Sequence, residues 1–248
     1  MKVAVFGARG RMGTAICRAL AEQADLEVVA RLDLGDAREL ALGADVAVDF
    51  TNVEAVMDNL TWCVDQGIPV VVGTSGFTPA RIEQVRDYLG DQPRSGVLIV
   101  PNFSIGAVLM MHFAAIAAPY FESVEIIEAH HAAKADAPSG TAVNTARLIA
   151  EARAAAAYPP MPDATTHEAP GARGAEIAAV RVHSLRQPGL VALQEVRLGS
   201  SGESLAIVSD AHSRACYEPG VIEAVRWVGS HPGLTVGLDE VLGLSGGR

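Results

Sequence analysis

The chain has 248 residues, half of them hydrophobic, with 29 acidic against 19 basic side chains and a formal net charge of −10. That length suits one large domain or two small ones, and the negative excess argues against nucleic acid or an anionic membrane as partner. Mean hydropathy is +0.25, yet no uninterrupted apolar run is long enough to cross a bilayer.

Taken in chain order, Met1–Phe6 enters a short apolar run closed by Gly7, which reads as a strand and not as the hydrophobic core of a signal peptide. Helical periodicity follows over Arg11–Glu22, then strands over Leu26–Leu32, Val46–Phe50, Val70–Val72 and Val97–Val100, with helices over Val53–Gln66 and Pro79–Leu89 between them. Continuous rather than alternating apolar strands imply a parallel sheet covered on both faces. After Pro101–Ser104 the pattern changes. A long apolar helix, Ile105–Ala118, precedes a strand over Val124–His130 and a helix opening near Ser139. Residues 154–176 read as an extended surface loop. Strands follow at Ile177–His183, Leu190–Leu198 and Ser204–Ser209, the last two joined as a hairpin by Gly199-Ser200-Ser201-Gly202. The final helix, Val221–Val228, and a short apolar segment return to the first domain. The expected architecture is α/β: a Rossmann-like parallel-sheet domain (1–103 and 213–248) plus an α+β substrate and oligomerisation domain with a mixed open sheet (104–212).

Cys17, Cys63 and Cys216 are far apart and fit no metal-ligand spacing. They read as reduced thiols of a cytoplasmic protein, and no metal site is expected. No cysteine lies near the candidate site, which argues against a semialdehyde dehydrogenase with a thiol nucleophile.

Between the first strand and first helix lies Gly7-Ala8-Arg9-Gly10-Arg11-Met12-Gly13. Ala8, Gly10 and Gly13 satisfy the 1-3-6 spacing of small residues that lets a turn tighten, a pyrophosphate approach and a helix pack on its strand. The second strand ends in Asp33, 20 residues after Gly13, where a carboxylate can accept from ribose hydroxyls. Asp33 favours NADH by repelling a 2′-phosphate, whereas Arg9, Arg11 and Arg31 could hold one, so NADH and NADPH both remain open. The loops Gly73-Thr74-Ser75-Gly76-Phe77 and Val100-Pro101-Asn102-Phe103 follow later strands and are placed to cover ribose and nicotinamide.

The most informative stretch is 128–142, Glu-Ala-His-His-Ala-Ala-Lys-Ala-Asp-Ala-Pro-Ser-Gly-Thr-Ala. Two imidazoles, His130 and His131, and the Lys134 ammonium stand just ahead of a helix start, whose unpaired N–H groups and partial positive charge attract carboxylates. Such a pocket suits a small, multiply anionic molecule. Histidine titrates near neutrality and suits proton exchange, and an anionic transition state gains from prearranged cations and N–H groups.

With these motifs in order, and with Pro232–Leu238 near the end, the whole chain resembles the dihydrodipicolinate reductase family. The Pro-Gly-Ala-Arg-Gly-Ala run at 170–175 is similar to its actinobacterial branch. The resemblance implies reduction of (2S,4S)-4-hydroxy-2,3,4,5-tetrahydrodipicolinate with loss of water, in the diaminopimelate and lysine pathway, by a homotetramer joined through the second domain's sheets. It implies that Gly7, Ala8, Arg9, Gly10, Arg11, Met12, Asp33, Gly73, Thr74, Ser75, Val100, Pro101, Asn102 and Phe103 hold NADH or NADPH. His130 is then the proton donor and acceptor and Lys134 the second proton donor, with His131, Gly140 and Thr141 on the substrate carboxylates. Ala133, Leu193 and Ser209 stand where the family often has polar or basic residues, and Ser75 replaces its usual Thr. Three lost polar groups around the anion pocket would favour a rival reading, a paralogue reducing a different cyclic imine carboxylate. A non-catalytic dinucleotide-sensing protein is a further alternative, opposed by the presence of both His130 and Lys134.

Overall fold

The computed structural model describes residues 1–244, and residues 245–248, assigned to the first domain from sequence, lie outside them. The chain divides into two units, Met1–Ser104 with the segment from Ala215 onward, and Ile105–Arg214.

In the first unit, β1 (Lys2–Phe6), α1 (Arg11–Ala21), β2 (Glu27–Leu32), β3 (Val46–Asp49), α2 (Val56–Asp65), β4 (Val70–Val72), α3 (Pro79–Leu89) and β5 (Gly96–Ile99) alternate. Four of the strands, β1, β3, β4 and β5, are near-continuous Val, Ala, Leu and Ile, and nearly every residue is buried because helices cover both faces. β2 is the exception. It lies at the sheet edge and alternates, with Ala30 and Leu32 inward and Glu27 and Arg31 exposed. Along α1, Gly13, Ile16, Cys17 and Leu20 recur at helical spacing and form its buried stripe. Burying Ile16 or Leu20 stabilises the unit by roughly 1.5–3 kcal/mol each.

Two helix starts have identifiable causes. Thr78 accepts from the Arg81 N–H and Pro79 opens α3, a favourable N-terminal pairing. α2 begins at Val56, three residues later than the expected Val53, because the Asn52 side chain accepts from the Glu54 and Ala55 N–H groups and holds a turn there. A short 3₁₀ helix at Arg38–Ala41, unforeseen in the sequence, follows β2.

The second unit begins with α4 (Ile105–Ala117), which tightens into 3₁₀ geometry at Ala118–Tyr120 around Pro119. β6 (Ser123–His130), α5 (Gly140–Ala155), β7 (Ala175–Ile177), β8 (Val180–Arg186), β9 (Ala192–Ser200) and β10 (Glu203–Ala211) complete it. Its sheet is mixed, ordered β10-β9-β6-β8-β7, with β6 and β8 parallel and the other pairs antiparallel. Val124, Ile126, Val180, Val182, Val196 and Leu198 bury one face against α4 and α5.

The single strand expected over Ile177–His183 is two strands. Ala178 and Ala179 both take positive φ, 50° and 64°, and fold the chain into a two-residue hairpin. Such turns are normally announced by Gly or Asn, and here neither is present. The later hairpin turns on Ser201-Gly202 alone, since Ser200 pairs with Glu203.

The chain then rejoins the first unit through α6 (Glu218–Val228) and β11 (Gly233–Val236), which adds to β5 as the sixth parallel strand. The six run β11-β5-β4-β3-β1-β2. Among the described residues no helix is long and apolar enough to cross a membrane, and no group of three His, Cys, Asp or Glu is placed to hold a metal.

Candidate active site

Parallel sheets bind ligands beyond the carboxyl ends of their strands, at the point where strand order reverses. In the first unit that point lies between β1 and β3. A cleft of about 310 Å³ opens there, lined by Gly7 and Gly10 after β1, Asp33 and Asp36 after β2, and Thr51 and Asn52 after β3.

Its floor is backbone. Gly7 has φ +76°, and a Cβ on it would lie 2.6 Å from the Phe50 carbonyl oxygen. A Cβ on Gly13 would lie 2.0 Å from the Gly7 carbonyl oxygen, so α1 can approach the β1 turn only with glycine there. Gly10 caps α1 without a side-chain hydrogen bond, and the first turn carries no acidic residue. The leading N–H groups of α1 thus lack side-chain partners and carry the positive end of the helix dipole. This cradle fits a dinucleotide pyrophosphate.

Asp33 stands at the cleft edge. Its carboxylate accepts from the Leu34 N–H at 2.9 Å and the Arg9 N–H at 2.8 Å, and these bonds hold it below the usual aspartate range. Arg9 turns its guanidinium to Asp36 at 2.9 Å. Arg31, a sequence candidate for a 2′-phosphate, is exposed on edge strand β2, close enough to Cys17 to lower its thiol pKa against the larger effect of burial. Arg11 is exposed.

Beneath the cleft, Asp49 is fully buried and fully used. Oδ1 accepts from the Thr51 N–H and hydroxyl (2.9 and 2.6 Å) and from the Thr74 hydroxyl (2.8 Å), and Oδ2 accepts from Asn59 at 2.8 Å. Thr74 is thereby pinned to the last residue of β3, while Ser75 is exposed. Gly73 leaves room for Phe50 and Phe103, whose rings lie 5.6 Å apart. Val100 and Phe103 are buried, Pro101 is exposed, and the Asn102 side chain accepts from the Ser104 N–H.

Sequence reasoning missed Arg38, Asp36, Asn59 and the Asp49–Asn52 run. The loop after β3 obeys the same strand-end rule as the loops after β4 and β5 and could have been found by it. Arg38 could not, because it enters the lining on a 3₁₀ turn with no periodic signal, where Asn59 accepts from its Nε at 3.0 Å.

In the second unit, the end of β6, the loop 131–138 and the start of α5 meet around one carboxylate. Glu128 is fully buried. Its oxygens accept from the Arg186 guanidinium at 2.8 and 2.9 Å, from the Ser139 N–H at 3.2 Å and from His130 Nδ1 at 2.6 Å. Burial pulls the Glu128 carboxyl up, but the bonds from Arg186, Ser184 and His130 outweigh it and hold it below the usual range. Burial lowers the His130 pKa; Glu128 opposes that, and Lys134 and Arg186 reinforce it.

Lys134 pairs with Asp136 at 2.7 Å, and the Asp136 carbonyl accepts from the Arg186 guanidinium at 2.6 Å. Ser139 caps α5 by accepting from Ala142, and a Cβ on Gly140 would meet nothing within 4 Å, so the helix tip opens onto free space. His130, Lys134 and Gly140 are therefore gathered by this network. Thr141 is tied in from behind, as its carbonyl accepts from Thr145, whose hydroxyl in turn accepts from Gln194. His131 is exposed, with its carbonyl accepting from the Lys134 N–H at 3.1 Å. Glu128 lay inside the motif without an assigned role, and Arg186, 58 residues away, carried no sequence signal at all.

Register corrects one expectation about the anion pocket. His130 pairs with Ala192, so Leu193 projects from the opposite face of the sheet with Ala129 and cannot have replaced a group beside His130. Ser209 pairs with Gln194 and shares its face, and Ala133 is exposed in the loop.

A doubly wound domain with a glycine-floored cleft at its switch point, joined in one chain to a mixed-sheet unit bearing a buried ionic cluster, defines the class of dinucleotide-binding α/β proteins. Family profiles agree in detail: "Dihydrodipicolinate reductase, N-terminus" matches residues 1–103 and "Dihydrodipicolinate reductase, C-terminus" matches residues 106–242. The chain is 58% identical over 245 residues to the 4-hydroxy-tetrahydrodipicolinate reductase of Thermobifida fusca, covering 98% of this chain and 100% of that one. It is 55% identical over 244 residues to that of Cutibacterium acnes, covering 98% and 99%. Among solved structures, the dipicolinate-bound dihydrodipicolinate reductase of Paenisporosarcina sp. TG-14 superposes with a TM-score of 0.85 at 32% identity, covering 97% of this chain and 98% of that one. The chain belongs to the dihydrodipicolinate reductase family.

Proposed function

We propose that this protein reduces (2S,4S)-4-hydroxy-2,3,4,5-tetrahydrodipicolinate to tetrahydrodipicolinate, consuming one hydride and one proton and releasing one water. What supports this most is the cluster at the end of β6, where His130 and the Ser139 N–H at the tip of α5 meet Glu128, and Arg186 ties in the loop that carries the Lys134–Asp136 pair, in a chain 58% identical to a reductase so named. The nicotinamide dinucleotide, when bound, supplies the hydride. Gly7, Gly10 and the leading N–H groups of α1 hold its pyrophosphate, Asp33 its adenosine ribose, and Gly73–Ser75 with Val100–Phe103 its remaining length. NADH is the better fit, because Asp33 and Asp36 put two carboxylates at the cleft edge and Arg9 is already engaged.

In the second unit the Gly140 and Thr141 end of α5, with His131, holds the substrate carboxylates. Lys134 anchors the dianion and protonates the developing anion, and His130 exchanges the other proton. The buried Cys17 and Cys63 offer no rival nucleophile; burial raises both thiols, Cys63 to about 12. The uncovered face of the second sheet carries Leu185, Leu193 and Val208, and we assign it to contacts between copies in a homotetramer. Light scattering on the purified protein tests that assembly.

The deciding assay follows oxidation of NADH and of NADPH with enzymatically generated lysine-pathway substrate. Turnover with both, faster with NADH, is expected, and Asp33→Ala should narrow the difference. Cofactor binding without oxidation, or faster turnover on a monocarboxylic cyclic imine, refutes the reading.

A further inference from the structure

Glu128 takes no part in the reaction as written above, yet it is the most deeply buried charge beside the site. Burying an ion pair rarely stabilises a protein more than apolar packing of the same volume. Stability alone therefore gives no reason to spend Arg186, Ser139 and a strand position on this carboxylate. The arrangement has a direction, however. Arg186 donates both arms of its fork to the two oxygens, at 2.8 and 2.9 Å, and a third bond from Arg186 to the Asp136 carbonyl at 2.6 Å ties the catalytic loop to the same guanidinium. Oε2, so fixed, meets His130 Nδ1 at 2.6 Å. A carboxylate can only accept, so Nδ1 carries the proton and Nε2 is left with its lone pair.

We propose that Glu128, gripped by Arg186, is the positioning residue for His130, holding the imidazole in the Nδ1–H tautomer so that Nε2 is the nitrogen that exchanges the proton with the bound dicarboxylate. The proposal rests on the reading of His130 as the acid–base group. The charged groups facing this imidazole are Glu128 on its own strand, Arg186 on β8 and Lys134 in the loop; α5 presents the uncharged Ser139. Removing the Glu128 charge leaves two cations against His130, so its protonated form becomes harder to reach.

The test reads the imidazole directly. Nitrogen NMR of the full-length protein, with His130→Asn used for assignment, should show neutral His130 protonated at Nδ1. Glu128→Gln should shift it toward the Nε2–H form, move the histidine limb of the kcat/KM profile to lower pH, and reduce kcat/KM by about 10²-fold with the KM for NADH unchanged. Glu128→Asp, which restores the charge, should recover part of both signals. Arg186→Lys, which keeps the carboxylate but loosens it, serves as the second variant if the amide variant does not fold, and should give a tautomer mixture. A persistent Nδ1–H form in Glu128→Gln, or a rate loss with tautomer and pH profile unmoved, overturns the proposal. A shifted tautomer with an undiminished rate upholds the positioning and instead removes His130 from the chemistry.

Discussion

The candidate sites of the two units are built from different material. The dinucleotide cleft is mostly backbone, with two glycines at which a side chain would collide with neighbouring backbone and a helix tip left without a side-chain cap. The second unit's cluster, to which we assign the dicarboxylate, is mostly side chain, with an imidazole, an ammonium and a carboxylate held by a fork that arrives from a strand 58 residues away. A backbone site fails when a methyl group is added. A side-chain site fails when a charge loses its partner.

That contrast can be sharpened at both ends. The largest effect is expected at Lys134, whose replacement by alanine removes the proposed anchor and proton donor together. Steady-state kinetics should show kcat falling and KM rising, with kcat/KM down by about 10²-fold or more, and near-normal values would place Lys134 outside the site. Gly13→Ala attacks the backbone half. Its methyl must displace the Gly7 carbonyl, so urea unfolding should show a loss of roughly 1–3 kcal/mol, with weaker binding of NADH by fluorescence titration. An unchanged protein would mean the β1–α1 turn can relax, contrary to the close packing described.

The smallest effect is on the pH dependence of stability. Both His130 and Glu128 have folded pKa values below their ordinary ones, so the unfolded chain binds more protons and stability falls on acidification. The share from His130 is present above its unfolded value, about 6.5, and is lost below it; the share from Glu128 is lost below about 4.3. Urea midpoints should therefore decline as pH drops from neutrality. A flat profile between pH 7 and 5 would show that no buried imidazole takes up a proton on unfolding.

Much of the first unit could be read before the fold was known. β1, α1, β4 and α3 announce themselves through apolar runs, helical spacing, Thr78-Pro79 and the glycine turn, all local signals within one turn or strand. The Ala178-Ala179 hairpin could not be read, because its positive φ values are imposed by strand pairing and not by residue type. Leu193 was misplaced for a related reason. Which face a strand residue occupies depends on register, and a shift of one residue reverses it.

The order of residues along the chain determined the strand–helix alternation, the glycine spacing that floors the cleft, and the His-His-x-x-Lys string ahead of a capped helix. These depend on neighbours a few positions apart, where chain geometry leaves little choice. Only the tertiary structure decided that Arg186 grips Glu128, that Arg9 turns to Asp36, and that Arg38 and Asn59 join the cleft wall. Long side chains have many rotamers and can reach several partners, and only the packed fold selects among them.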